Sequence, residues 1–311
     1  MIKGLQLAER FYLDRGRDMI KKEFPELEHR IAVGLVGEGS ECLGFDDDIS
    51  KDHDYGPSFC LWMTDGDYER YHEEVTVAFQ RLPALYDGMK TRLTPKETLG
   101  RTGVMKTSSF YKSILQIDNV PQSNTDWLRI DETRLATAVN GKVFRDDLGE
   151  FSKIRNLLIN YYPDDVWLKR LAAALALAAQ SGQYNYVRCL SRTDSAAAYL
   201  MMASFVQNCL KVIFLLNRKY HPFDKWAFKS METLPELKNA QAKLKKLVSK
   251  PASEYEKVMM IESICADIAN MLRAKGLSSS DDDFLMPHAV EVTRKIKDIE
   301  LLKMNMLSEK I

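Results

Sequence analysis

Asp52 and Asp54 stand either side of one histidine at the end of an acidic, glycine-rich stretch, GLVGEGSECLGFDDDISKDHDYG (residues 34–56). Seven of its 23 positions are acidic and five are glycine. Along an extended segment successive side chains alternate faces, so the two aspartates share one side and His53 takes the other. Carboxylates that close repel one another unless something positive sits between them. Mg²⁺ suits such a pair, because it takes oxygen ligands and keeps its other positions for water and phosphates. Upstream, VGEGSE follows an apolar run with a glycine turn and a serine. A turn of that kind lets backbone N–H groups and a hydroxyl approach a phosphate closely. Gly39 and Ser40 are therefore the phosphate-side candidates, and eleven residues separate Ser40 from Asp52.

Other residues here have plainer readings. Asp46, Asp47 and Asp48 lack a calcium-loop pattern and are expected to be solvated loop charges. His53 is expected to pack behind the strand. A metal-phosphohydrolase dyad of His53 and Asp54 would need patterned partners, and His29, His72, His221 and His288 are scattered.

The elements around these residues divide the chain near residue 150. In the first half RIAVGLVG is a short β-type run, HDYGPSFCLWM is the strand after the acidic turn, and DYERYHEEVTVAFQRL is a helix. GVMKTSSFYKSIL fits strand or helix, and GKVFRD is a short strand after a helix ending at Asn140. From Phe151 onward nearly every segment reads as helix with serine starts and glycine or proline stops, which predicts a bundle. The expected fold is α+β: a small mixed-sheet domain over residues 1–150, then an all-α bundle over 151–311.

An apolar strand, Gly-Ser, about a dozen residues and then Asp-x-Asp resembles the signature of the polymerase-β-like nucleotidyltransferase superfamily. GSECLGFDDDISKDHDYGP, NGKVFRDDLGEF, YYPDDV, AAQSGQYNYVRC and LLNRKYHPFDKWAF together are similar to a bacterial family that joins a nucleotidyltransferase-like N-terminal half to a helical C-terminal half. The aminoglycoside and lincosamide nucleotidyltransferases share that architecture. The resemblance implies that Gly39 and Ser40 hold the β- and γ-phosphates of a nucleoside triphosphate such as ATP. It implies Mg²⁺, with Mn²⁺ as the alternative, on Asp52 and Asp54. It also implies a third carboxylate on a later strand that activates the attacking hydroxyl. No acid stands in GVMKTSSF, so Asp126 and Asp146 are the candidates. Asp126 is preferred, since a strand-helix-strand reading puts it one element before the last strand.

In the helical half, Arg188 and Lys225 are expected to reach the triphosphate across the domain interface, and Gln183 and Asn185 to line the cleft. The competing readings are capping and bundle hydrogen bonds for Gln183, Asn185 and Arg188, and a Lys225 stem laid over Trp226. Met201, Met202, Phe205, Leu210, Ile213 and Phe214 form a core stripe.

Composition sets bounds on all of this. The 311 residues are 45% hydrophobic and 28% charged, with 44 basic and 44 acidic side chains, so nothing points to a nucleic acid partner. Five scattered cysteines without a CxxC pair suit reduced thiols in a cytoplasmic protein. The N-terminus reads as a charged amphipathic helix without a signal peptide's apolar centre. Residues 196–216 approach membrane-spanning length but carry Gln207, Asn208 and Lys211, so they are expected to be a buried helix. The expected activity is Mg²⁺-dependent transfer of a nucleoside monophosphate to a hydroxyl, on a small molecule. The alternative is a nucleotide-binding or regulatory, antitoxin-like protein that keeps the fold without turnover.

Overall fold

The computed structural model describes residues 2–51, 55–98, 100–118 and 120–308. The chain is α+β and divides into two compact units, Met1–Val120 with Arg134–Asn160, and Pro121–Thr133 with Tyr161–Ile311. The change in sequence character near residue 150 thus falls one helix before the contact boundary.

The first unit is built on strands β1 (Ala32–Leu35), β2 (Cys60–Met63), β3 (Leu85–Tyr86), β4 (Met89–Lys90), β5 (Gly103–Lys106) and β6 (Lys142–Arg145). Four of them form one mixed sheet in the order β5-β2-β1-β6, and β3 and β4 pair as a separate hairpin. β2 pairs parallel with β5 and antiparallel with β1, which pairs antiparallel with β6. Every residue of β1 and β2 is buried, the pattern of central strands covered on both faces.

Alternation along β2 sorts its side chains. Phe59, Leu61 and Met63 enter a core with Phe11, Ile20, Val75 and Phe79, supplied by the N-terminal helical stretch and the helix Asp65–Gln80. Trp62 turns to the other face, stacked on Phe151 at 3.8 Å with Phe110 5.2 Å away. The stretch that fitted strand or helix is both, with β5 running straight into the helix Thr107–Leu115. Its polar start could not be assigned from periodicity, because half-buried β5 has only four residues.

In the second unit the helix Asp164–Ala178 is the axis, and Leu171 to Ala176 are all fully buried. Two cations lie in the same helix. Lys169 donates to the carbonyls of Met304 and Asn305, and Arg170 to those of Trp127, Leu128 and Ile130. Both heads thereby meet the carbonyl-bearing ends of short helices, where positive charge is favoured. The apolar stretch forms the helix Ser195–Leu216, the one described helix long and apolar enough to cross a membrane. Phe205, Cys209 and Val212 to Leu216 are buried in this unit, whereas Tyr199 and Leu200 are exposed.

Phe151 ties the helix Glu150–Ile159 to the sheet, and removing its ring leaves a void against Trp62. Phe151→Ala is expected to lower stability by about 3–5 kcal/mol, read as a shifted denaturant midpoint. A loss under about 1 kcal/mol would mean that this helix is not part of the first unit's core.

Candidate functional site

The glycine turn begins where β1 ends. Gly37 is gripped on both backbone sides by one amide: its N–H donates to Asn140 Oδ1 at 2.9 Å, and its carbonyl accepts from Asn140 Nδ2 at 2.7 Å. Gly39 has φ 127°, and a Cβ there would come within 2.6 Å of the Glu41 carboxylate. Ser40 then opens a four-residue helix, Ser40–Leu43, closed by left-handed Gly44. The Ser40 hydroxyl is half-buried and makes no hydrogen bond among the described residues.

Asn140 is placed by its neighbours. Gly141 has φ 61°; its N–H donates to Cys42 O at 2.8 Å, and a Cβ there would stand 2.0 Å from Leu35 O. Arg155 donates to the carbonyls of Ala138, Val139 and Gly141. The Asn-Gly pair was legible only as a helix stop before a strand. Its second role, holding the glycine turn, depends on a contact more than a hundred residues away in sequence.

The second side of the acidic stretch is fixed by Arg92, which the sequence reading did not single out. Its buried guanidinium donates from Nε to Gly56 O at 3.3 Å and lies 3.5 Å from Glu41 Oε1. It thus joins the residue after Ser40 to the segment after Asp54. Ser58 Oγ donates to the Arg92 carbonyl at 2.6 Å. Glu97 in turn holds the segment carrying Arg92, accepting from Leu93 N, Thr94 N and Thr94 Oγ1 and pairing with Lys90 at 2.7 Å. Lys90 and those N–H groups bring the Glu97 carboxyl down to about 2.

Four of the seven crowded acids have an identified partner inside the chain, three of them a cation. Glu38 lies 3.6 Å from Arg101, Glu41 meets Arg92, and Asp47 accepts from Ser50. Asp46 corrects an expectation: it is buried, accepts from Gly4 N at 2.9 Å and sits 3.7 Å from Lys3 Nζ. Its charge caps the first helix instead of meeting solvent, because that helix packs over the turn and leaves its own N–H groups needing an acceptor. Asp52, His53 and Asp54 lie outside the described residues. Among the described residues no group of three His, Cys, Asp or Glu side chains is placed to hold a metal.

The two candidates for a third carboxylate are both helix caps. Asp126 is not on a strand, as the strand-helix-strand reading had it, but in the first turn of the helix Asn124–Arg129 in the second unit. It closes a capping box with Ser123. The N–H of Gln122, then Ser123, hold its carboxyl below the usual carboxylate range. Asp146 follows β6 and accepts from Gly149 N at 2.9 Å and Ser152 N at 2.7 Å. β5, which runs parallel beside β2, carries no acid.

The polar residues of the helical half have local partners. Gln183 donates to Glu262 Oε2 and Asp283 O and accepts from Leu285 N, so both ends of its amide serve bundle packing. Asn185 is half-buried in the π-helical turn Ala179–Tyr186. Arg188 is exposed, donating to Tyr184 Oη at 2.7 Å with its guanidinium 4.9 Å from that ring's centre. Lys225 Nζ lies 5.6 Å from the centre of the Trp226 ring. All five cysteines are free thiols.

The family model described as Domain of unknown function (DUF4037) matches residues 127–227, a segment that takes in Asn140, Gly141 and Arg155. No curated protein matches the chain. Among solved structures, a nucleotidyltransferase-like protein from Exiguobacterium sibiricum 255-15 is similar at 9% identity and a TM-score of 0.40. The alignment covers 97% of this chain and 86% of that one.

Two outcomes are expected from this geometry. Gly141→Ala forces a left-handed backbone on a residue with a Cβ and drives that atom into Leu35 O, so it should cost about 2–4 kcal/mol. Asn140→Ala, which leaves the backbone unstrained, should cost less. Equal losses in denaturant titrations would show that the amide grip, not the glycine, carries the turn. For Glu97, a folded-state carboxyl near 2 against its ordinary 4.5 adds stability that is full above 4.5 and lost as pH falls toward 2. Glu97→Gln should therefore flatten the fall of the urea midpoint between pH 4.5 and 2. A fall as steep as the parent's would remove Glu97 from that role.

Proposed function

We propose that the chain binds a nucleoside triphosphate at the Gly37–Ser40 turn and transfers its nucleoside monophosphate to a hydroxyl, on a small molecule, in a reaction dependent on Mg²⁺ or Mn²⁺. The observation that carries this is the turn itself. A buried central strand ends in two left-handed glycines and a serine whose hydroxyl has no described partner. Asn140 holds that turn rigid, and Arg92 joins Glu41, the residue after Ser40, to the Gly56 carbonyl. Gly39 lets the backbone approach an anion closely, and the Ser40 hydroxyl adds a donor.

A hard cation suits the two oxygen ligands that the Asp-x-Asp spacing of Asp52 and Asp54 would offer. A divalent ion bound there would neutralise triphosphate charge as pyrophosphate leaves. The chain's own part is to position the phosphates and keep the turn from relaxing.

A second reading has a specific observation behind it. β5 offers no carboxylate, and Asp126 and Asp146 are both engaged as caps, so the group that would activate an acceptor is missing from the expected places. That favours nucleotide binding without turnover, as in a regulatory or antitoxin-like protein.

One experiment separates the two. The full chain is incubated with α-labelled nucleoside triphosphates, Mg²⁺ or Mn²⁺ and a metabolite extract, following pyrophosphate release and new labelled products. Transfer that disappears in Asp52→Asn and Asp54→Asn supports catalysis. Metal-dependent binding without any pyrophosphate supports the second reading, and absence of both binding and transfer rejects each. Ser40→Ala should weaken triphosphate binding by roughly 1–3 kcal/mol if it leaves a charged oxygen unpaired, with adenosine binding little changed. An equal loss for nucleoside and triphosphate would take the hydroxyl off the phosphates.

A further inference from the structure

A loop between two helices of the second unit is closed on a buried histidine. His288 is fully buried in the helix Leu285–Thr293. Its Nε2 lies 2.7 Å from Asp282 O and its Nδ1 lies 2.8 Å from Ser278 Oγ. Ser278 is buried too, and its Oγ also lies 3.1 Å from Glu291 Oε2. Glu291 accepts as well from Ser279 N at 2.6 Å and Ser279 Oγ at 3.1 Å. Ser278, Ser279 and Asp282 of the loop are thereby fastened to His288 and Glu291, which stand three residues apart on one helix face.

The proton inventory fixes the charge of the ring. A carbonyl only accepts, so Nε2 must carry a proton toward Asp282 O. Ser278 has one hydroxyl proton and two neighbours that could take it, Nδ1 and the Glu291 carboxylate. That carboxylate stays ionised, because the Ser279 N–H, above all, holds it below the usual carboxylate range. If Ser278 donates to Nδ1, its bare oxygen faces a charged oxygen at 3.1 Å. If it donates to Glu291, Nδ1 must bring a proton of its own and donate to Ser278 Oγ. Only the second arrangement satisfies every contact. It makes His288 an imidazolium joined to Glu291 through one serine, and so pairs a charge that burial would otherwise penalise.

The other charged groups near the ring have partners of their own. In the loop, Asp282 caps Phe284 N at 2.9 Å, Asp283 pairs with Arg273 at 3.3 Å, Lys275 pairs with Glu236, and Asp281 is exposed. The helix Glu254–Ala274 supplies Arg273, which donates to Ser280 O and Asp282 O, and Glu262, which accepts from Gln183. In the helix Asp164–Ala178, Lys169 and Arg170 are directed to carbonyls elsewhere. The π-helical turn Ala179–Tyr186 carries no charged residue, and its Tyr186 hydroxyl donates to Glu254.

We propose that His288 is a proton-operated latch: doubly protonated, it closes the loop 277–283 onto the helix Leu285–Thr293, and loss of its Nδ1 proton breaks the link to Glu291 and loosens the loop. Closure takes up a proton. The closed loop is therefore favoured as pH falls and lost as pH rises through the range in which histidine changes charge. Loosening also reaches Gln183, which donates to Asp283 O and accepts from Leu285 N at the loop's end. The latch thus governs how this loop holds the π-helical turn. It is independent of the proposed nucleotide turn, since all these residues belong to the second unit.

The test is amide hydrogen exchange on the full chain at about pH 5.5 and about pH 8, either side of the range in which histidine titrates, each corrected for intrinsic exchange. Protection of the Ser279 and Ser280 amides is expected to be roughly tenfold higher at the lower pH, the scale of one charge-assisted hydrogen bond. Amides of Ile264 and Ile268, within the helix Glu254–Ala274, should not change. Long-range ¹⁵N–¹H correlation spectra should show both His288 nitrogens protonated at the lower pH, with the signals assigned by their loss in His288→Gln. Ser278→Ala removes the relay and should leave the loop equally protected at both pH values, and His288→Gln should do the same. Should His288→Gln fail to fold, Ser278→Ala decides alone. The latch is overturned if the parent loop is equally protected at both pH values, if Nδ1 carries no proton at the lower one, or if Ser278→Ala keeps the parent's pH dependence.

Discussion

The side-chain amide of Asn140 sets the shape of the first unit's functional edge. By taking both the N–H and the carbonyl of Gly37 it converts a flexible glycine turn into a fixed one. Each buried backbone group that would otherwise need water is satisfied. The amide can do this only because Gly141 lets the chain pass against Leu35 O, and because Arg155 collects the carbonyls around it. Arg155 rides on the helix that Phe151 anchors to Trp62. Core packing on one face of the sheet is thereby connected to the geometry of a polar turn at its end.

The fold was largely legible, and for identifiable reasons. β1 and β2 are continuous apolar runs ended by glycine or polar residues, a pattern with few competing explanations. The helix Glu254–Ala274 announces itself by Ser253 and Glu256, which form its capping box. What was not legible depends on pairing across sequence distance. β5 is four half-buried residues, too few for a period, and it is a strand because β2 offers a parallel neighbour. Arg92 looks like any other loop arginine until the fold sets Gly56 on one side of it and Glu41 on the other.

Carboxylates were the hardest residues to read, because the same side chain serves caps and catalysis. Asp126 follows a serine by three residues, and that spacing is the signature of a capping box. Asp146 sits four residues ahead of the helix that begins at Glu150, where orphan N–H groups accept a carboxylate readily. Gln183 shows the parallel ambiguity for amides, with two donor contacts and one acceptor contact all spent on neighbouring helices. A polar residue within an apolar helix is best read first as a hydrogen-bond partner for the bundle, since leaving it unpaired in a packed interior would be costly.

The acidic stretch shows how charge crowding is resolved step by step. Gathering seven carboxylates is tolerable when most have a local counterpart, and here arginines, a lysine and backbone N–H groups answer Glu38, Glu41, Asp46 and Asp47. Those compensations are short and structural, and they tie the stretch to the N-terminal helix and to the Arg92 segment. A metal is therefore not needed to explain the crowding as a whole. The same reasoning applied to the second unit runs in the opposite direction. There the buried cations Lys169 and Arg170 are answered by carbonyls, and Asp164 and Asp165 by Arg218 and backbone N–H groups.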